Sequence, residues 1–589
     1  MIKNFKHIIA IDFEFSAPNG ERPSVVCLIA KDITTGEIWR IFQEQLYSLK
    51  HPPYPTGTDS LIVAYYASAE INCYKALGWD LPTHVLDLFT EFRCMTNGLT
   101  LPSGAGLLGA LNYFGLSGID TIEKEGMREL AMRGGHYTET EKSDLLNYCE
   151  SDVLALEKLL LPMLPMINIP LALLRGRYMK SVACIEFHGT PIDTSSLSVL
   201  MKNWDAIQQS LIKKIDMDFN VFEGKTFKRK LFENYLIKHN ISWPLLASGS
   251  INLSDATFKD MCRSNPQLIP LRELRVTLSR MRLSDLAVGN DGRNRCLISA
   301  FRAKTGRNQP SNSKFIFGPS AWLRSLIKPS KDYGLAYVDW SQQEFGIAAA
   351  LSGDKLMKDA YISGDPYLAF AKQAKAVPEN ASKTSHPKER EQYKACVLAV
   401  QYGMGPESLA ARINQPVIAA RELLRLHKET YKTFWKWSDS NVDYAMLHGK
   451  LWTVFGWKIH VNDTPNPRSL ANFPMQANAA EMLRLACCLM TDKNINICAP
   501  VHDAVLIEAP LDKLEHSIEV TKQCMRKASS IILNGFELNS DVDIVRYPDR
   551  YMDKRGEKMW DSIWETITDL SIPEHFHPMP QLTKEEIYG

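Results

Sequence analysis

With 589 residues, 45% of them hydrophobic and 23% charged, the chain has an ordinary globular composition and is too long for a single core, so about three to five domains are expected. A net charge of +1 excludes strong overall attraction to a polyanion, and any such binding must come from locally segregated charge. The twelve cysteines include no C-x-x-C pair, which argues against a zinc ribbon or a disulfide scaffold and for a reducing, cytoplasmic setting.

The N-terminus enters an apolar run broken by Asp12, which does not read as a signal peptide, and the apolar stretch Val153 to Leu174 is interrupted by Glu157, Lys158 and prolines, so no membrane span is expected. Strands are expected at His7 to Phe15, Ser24 to Ala30, Ile38 to Phe42 and Leu61 to Ala67, and helices from Glu70 to Leu77 and from Glu141 to Leu160. On an extended strand Asp12 and Glu14 share a face; taken alone, such a pair reads as a solvated face. Tyr148 and Asp152 lie one helical turn apart.

Asp12-x-Glu14, a later acid, and Tyr148-x-x-x-Asp152 together resemble the three motifs of the DEDD 3′–5′ proofreading exonucleases. The resemblance implies an RNase H-like domain over residues 1–170. It also implies two-metal hydrolysis, with Asp12, Glu14, Glu70 and Asp152 as ligands and Tyr148 orienting water. Glu70 stands where the family usually supplies Asp, and Asp87 resembles a further acidic position one step removed from the metals.

Pro162 to Pro170 reads as a connector, and Arg175 to Asp193 opens a largely helical region. Lys225, Lys228, Arg229 and Lys230 form a basic cluster suited to duplex phosphates or to a solvated face. Between Arg293 and Lys331 lie nine Lys/Arg residues (Arg293, Arg295, Arg302, Lys304, Arg307, Lys314, Arg324, Lys328, Lys331) and no Asp or Glu, as expected where a near-neutral chain meets a polyanion.

Leu335 to Val338 reads as a buried strand that delivers Asp339 to its open end, where a carboxylate can hold a divalent cation. Ser341 is placed to cap the helix expected from Gln342 to Leu351. Arg390, Lys394, Leu398 and Tyr402 recur every four residues along one helix face, each step rising about 6 Å. Two cations above an apolar and an aromatic residue suit a triphosphate above a base. Val417 to Tyr444 reads as one further helix. Asn496 to Val501, His502-Asp503 and Val505 to Glu508 read as a β-hairpin.

These segments resemble, in order, the motifs of family A DNA polymerases. Thr305-Gly306-Arg307 is similar to T-x-G-R, Asp339-Trp-Ser-Gln-Gln-Glu344 to motif A, Arg390 to Gly403 to the fingers helix, and Val501-His-Asp-Ala504 to motif C. The implied architecture is α/β and multidomain, with a right-hand polymerase fold. Its parts are thumb 171–292, first palm segment 293–355, fingers 356–445, second palm segment 446–560 and a tail 561–589 without an assigned role.

The resemblance implies Asp339 and Asp503 as metal ligands and Lys394 as the group that neutralises the triphosphate and protonates pyrophosphate. Arg390, Tyr367, Gln342, Leu398 and Tyr402 would contact the nucleotide, and Glu344 would be the gate against a ribose 2′-hydroxyl. Arg307, Arg468, Asn472, Gln476 and His502 would contact DNA. Two Mg²⁺ ions, or Mn²⁺ in their place, are implied in each site, with primer–template DNA and dNTPs as partners. The chain departs from the family at Gly346, Leu398 and Ala504, where Arg, an aromatic residue and Glu are usual. The compact arrangement is similar to bacteriophage replicative enzymes. A single-subunit RNA polymerase, a DNA-binding protein with a decayed site, and an exonuclease whose hand only holds DNA are the alternatives.

Overall fold

The apolar run His7–Ser16 (β1) is the central strand of a five-stranded sheet with Ser24–Asp32 (β2), Ile38–Phe42 (β3), Ser60–Ala64 (β4) and His84–Asp87 (β5). The order is β3-β2-β1-β4-β5; β2 runs antiparallel to β1 and β3, whereas β1, β4 and β5 are parallel. Ile9, Ile11 and Phe13 enter one apolar core and Ala10 the other, so β1 is covered on both faces. The computed structural model describes residues 2–116, 121–280, 283–401, 403–462 and 464–571.

The connector expected at Pro162 to Pro170 is largely helical. Helix Glu139–Met163 starts in a Thr138/Glu141 capping box and carries Pro162 in its last turn. After one 3₁₀ turn, helix Ile169–His188 begins with the Asn168 side chain accepting from Leu171 N–H and Pro170 in the first turn, where a missing donor costs nothing. The helix runs on past the expected 170/171 boundary and stays with the N-terminal part. The chain divides into one unit of Met1–Gly189, Arg295–Pro310 and Asp332–Arg546, and another of Thr190–Asn294, Ser311–Lys331 and Tyr547–Gly589.

In the first unit, Tyr333–Trp340 (β6), Asn496–Val501 (β7), Ala504–Pro510 (β8) and Ser540–Arg546 (β9) form an antiparallel sheet of order β7-β8-β6-β9. Ala336, Val338 and Trp340 are buried in the core, while the alternate residues Tyr337 and Asp339 stay half-buried on the other face. Helices Pro467–Thr491 and Leu514–Ile532 pack against each other beside this sheet. Val417 to Tyr444 is two helices, Val417–Thr430 and Lys432–His448. The break at Tyr431 lets its fully buried ring pack on Phe345, Phe370 and His427 while its hydroxyl donates to Gln373 Oε1 at 2.9 Å.

The second unit is mostly helical, with Phe232, Trp243, Phe258, Leu268 and Leu271 in its core. Within it, Lys225 pairs with Asp205 and Lys228 with Glu223, so half of the basic cluster is already neutralised. The cation-rich window does not form one patch. Arg295 is 6% exposed and donates to the Phe187 and Gly20 carbonyls, and Arg324 is held by Asp553 and the Phe317 carbonyl. The tail continues the helix Glu557–Ser571; residues 572–589 lie outside the described residues. All twelve cysteines are free thiols, and no helix among the described residues is long and apolar enough to cross a membrane.

Candidate active sites

The antiparallel register sets Asp339 on β6 between Ala504 on β8 and Asp541 on β9. Asp503 sits in the tight β7–β8 turn, where His502 takes the left-handed conformation (φ 57°), and its carbonyl accepts from Trp340 N–H at 3.2 Å. The turn is thereby pinned to the residue after Asp339.

Asp339 Oδ1 is fully buried, with no hydrogen-bond partner among the described residues. Burial, then Asp503, Asp541 and Asp543, pushes the Asp339 carboxyl up to about 7. Burial also raises Asp503, opposed by His502 and Arg307. A buried carboxylate oxygen left without a partner, with the Asp503 charge acting on it, fits a hard divalent cation. Asp541 and Asp543 were missed in the sequence; the i, i+2 acids of Ser540–Arg546 were a visible signal, but the strand's neighbour was not.

Ser341 does not cap the following helix. Gln342, left-handed and half-buried, takes the cap position without a side-chain bond, and the Ser341 hydroxyl donates to Asp541 Oδ2 at 2.7 Å. The helix that follows, Gln343–Ser352, carries Glu344 in its first turn. Arg307 Nη2 donates to Glu344 Oε1 at 3.3 Å. The loop that presents Arg307 needs Gly306, whose φ is +72° and whose Cβ, if present, would lie 3.1 Å from the Trp457 indole. Arg484 Nη1 secures the loop by donating to the Gly306 carbonyl at 2.6 Å.

Helix Pro387–Gln401 places Lys394 and Leu398 on a cleft of about 600 Å³ shared with Lys388 and Arg412. Lys394 lies 3.7 Å from Glu391. Arg390 is directed to Asp365, over the buried Tyr367 ring. Tyr402 lies outside the described residues. On helix Pro467–Thr491, Asn472 and Gln476 are half-buried one turn apart, and the exposed Arg468 packs its stem where a Gly403 side chain would be, 3.3 Å away. His502 is exposed.

In the N-terminal sheet, Asp12, Glu14 and Asp152 bring one carboxylate oxygen each within 4.8 Å of one another. Glu70, in the first turn of helix Ser68–Ala76, is buried, and its Oε2 has no hydrogen-bond partner among the described residues. Its carboxyl is pushed well up by burial, then by Asp12 and Glu14 and, more weakly, Asp152, against a hydrogen bond from the Phe13 backbone. Burial and the neighbouring acids keep the Tyr148 hydroxyl protonated. Asp87 accepts from the Tyr66, Ala67, Phe89 and Thr90 backbone N–H groups, which ties the β4 exit to the next helix; it is spent on structure.

The M. smegmatis Pol1 polymerase domain, solved with DNA primer-template and dNTP, matches this fold at a TM-score of 0.68 over 91% of this chain and 94% of its own, at 18% identity. DNA polymerase I of Aquifex aeolicus is 23% identical over 382 residues, covering 62% of this chain and 65% of its own length. That of Deinococcus radiodurans is 27% identical over 207 residues, 33% of this chain and 21% of its own length. The chain therefore spans less than two thirds of the length of these two DNA polymerase I relatives. The family model for DNA polymerase family A matches residues 197–545, more than half of the sequence and inclusive of Asp339 and Asp503; the chain belongs to DNA polymerase family A.

Proposed function

We propose that the protein is a template-directed DNA polymerase that adds dNTPs to a primer 3′-hydroxyl, carries a 3′–5′ proofreading exonuclease in residues 1–170, and serves DNA replication. The observation that carries the reading is the meeting of Asp339 and Asp503, distant in sequence, at one end of the strands of a sheet, with Arg307 acting on Asp503 and bonded to Glu344.

Asp339 and Asp503 would hold the divalent cations, Mg²⁺ or Mn²⁺. Held by these residues, such cations would supply a lowered pKa for the primer hydroxyl and offset charge on the triphosphate. Lys394, on the cleft, neutralises the triphosphate and gives a proton to the leaving pyrophosphate. Arg390 exchanges Asp365 for the γ-phosphate, with Tyr367 supporting its guanidinium. Glu344, held by Arg307, excludes a 2′-hydroxyl, and Leu398 and Tyr402 border the base. Asn472 and Gln476 read minor-groove acceptors that vary little with sequence, and Arg468 and His502 steady the strands.

The 3-2-1-4-5 sheet order and the converging Asp12, Glu14 and Asp152, with Glu70 under their electrostatic influence, support an RNase H-like exonuclease with its own pair of cations. Tyr148, kept protonated, donates to the attacking water. Primer extension and 3′-end degradation by wild type, Asp503→Ala and Asp12→Ala test the reading. Asp503→Ala abolishes synthesis and spares degradation, Asp12→Ala does the reverse, and synthesis by Asp503→Ala at the wild-type rate defeats the polymerase assignment.

A further inference from the structure

Apart from the two acidic sites, His188, Cys498 and Glu508 bring one ligand atom each within 4.8 Å of one another. All three belong to the first unit. His188 is the last residue of helix Ile169–His188, while Cys498 and Glu508 lie on β7 and β8, several residues back from the Asp503 turn on each strand. Along these strands the register passes from Ile497 opposite Ile507 to Ala499 opposite Leu506, and Cys498 is the residue left over. A bulge of this kind bends the strand and re-aims a side chain. Here the thiol ends beside the Glu508 carboxylate and the His188 ring.

Glu508 is buried and stands opposite the fully buried Leu335 of β6. A carboxylate in such a place needs a charged or hydrogen-bonding partner, or a metal. His188 Nε2 lies 2.9 Å from Glu508 Oε2. A hydrogen-bonded pair accounts for those two groups but leaves the buried Cys498 thiol without a part, since a thiol is a weak donor and a weak acceptor. As a thiolate it is a strong metal ligand. Thiolate, imidazole and carboxylate together are the ligand types of Zn²⁺, whereas Mg²⁺ takes oxygens. Tetrahedral zinc holds its ligand atoms about 3–4 Å apart, so side-chain rotation alone closes this cluster on an ion.

We propose that His188, Cys498 and Glu508 form a Zn²⁺ site, with water in the fourth position, that clips the end of helix Ile169–His188 to the β7–β8 hairpin. On binding, Cys498 releases its proton to solvent and its sulfur donates an electron pair to the ion; the imidazole and the carboxylate bind through lone pairs, and nothing is oxidised or reduced. Affinity therefore rises with pH. The helix already packs on β7, and the ion fixes that contact at its end, behind the strands that carry the Asp503 turn.

The test takes the full chain, stripped by a chelator and returned to excess Mg²⁺ to occupy the carboxylate sites. Titration with Co²⁺ reports thiolate ligation through near-ultraviolet charge-transfer absorption, which oxygen-only sites lack. Zn²⁺ is read by displacement of that signal and by a rise in melting temperature. One equivalent of thiolate-bound Co²⁺ is expected. Cys498→Ser is expected to abolish the absorption, and His188→Gln to weaken Zn²⁺ binding about a hundredfold. Cys524→Ser, at another buried thiol, is expected to change neither. No absorption in the wild type, its persistence in Cys498→Ser, or unchanged Zn²⁺ affinity in His188→Gln would overturn the proposal. Melting of the metal-free variants shows whether each is folded, and the half-buried His188 keeps the test decisive should Cys498→Ser unfold.

Discussion

Arg390 Nε donates to Asp365 Oδ2 at 2.6 Å, and its guanidinium lies 5.6 Å from the centre of the Tyr367 ring. The cation expected to grasp a phosphate is already engaged by a carboxylate, so on the proposed reading a nucleotide would have to compete for it. Arg390→Ala is expected to raise KM for dNTP about tenfold or more, the worth of a charge-assisted hydrogen bond. Asp365→Asn removes the competitor while keeping the helix cap that Oδ1 provides to Leu368 N–H. Steady-state extension is expected to show KM falling in that variant; a rise would mean that Asp365 orients Arg390 rather than restraining it.

Gly306→Ala forces a side chain into a left-handed backbone against the Trp457 indole. A loss of about 1–3 kcal/mol in denaturant unfolding is expected, with weaker binding of primer–template through Arg307. Unfolding and DNA binding that both match wild type would show that the loop can be rebuilt without glycine.

Glu186 is buried, accepts from Ile298 N–H at 2.7 Å and Asn72 Nδ2 at 3.2 Å, and has its carboxyl pushed up to about 7 by burial. The folded chain thus holds this proton more tightly than the unfolded chain, whose carboxyl titrates near 4.5. Stability contributed by the protonated form is present below about 4.5 and is lost as pH rises through about 7. Glu186→Gln is expected to flatten the fall in melting temperature between pH 5 and 8; an unchanged slope would exclude Glu186 as its source.

Glu70, buried and raised by the charges of Asp12 and Glu14, is the fourth acid of the N-terminal sheet's candidate site. Glu70→Gln is expected to slow 3′-end degradation about a hundredfold, as for loss of a metal-site carboxylate, and to leave extension at the wild-type rate. Glu70→Asp is expected to fall between the two. Undiminished degradation in Glu70→Gln would remove Glu70 from that chemistry.

Features written within one short segment were legible in the chain: the Asp12-Phe13-Glu14 face, the Asp339 strand end and the His502-Asp503 turn all depend on neighbours a few residues away. Features set by partners far along the chain were not. Nothing local says that Ser540–Arg546 lies beside Tyr333–Trp340, so Asp541 went unnoticed and the Ser341 hydroxyl was given to the wrong partner. Charge counting erred at Arg295 and Arg324 because a guanidinium can spend itself on carbonyls and a buried acid instead of on solvent or DNA. The break at Tyr431 was hidden for a similar reason: burying its ring outweighs helical continuity only once Phe345 and Phe370 are in place.

Helix Ile169–His188 touches β5, helix Ser68–Ala76, helix Pro467–Thr491 and β7. Its Arg175 makes a buried two-pronged bond to Glu91, at 2.6 and 2.7 Å, and reaches the Phe455 carbonyl. Ile9, Ile11 and Phe13 of the N-terminal sheet share one apolar cluster with Ala336 and Val338 of β6. Severing the chain near residue 170 would therefore strip a hydrophobic interior rather than release a free-standing catalytic fragment. The carboxylates of the N-terminal sheet and those at the Asp339 strand end are thus carried by one continuous apolar interior, and their separation is fixed by it.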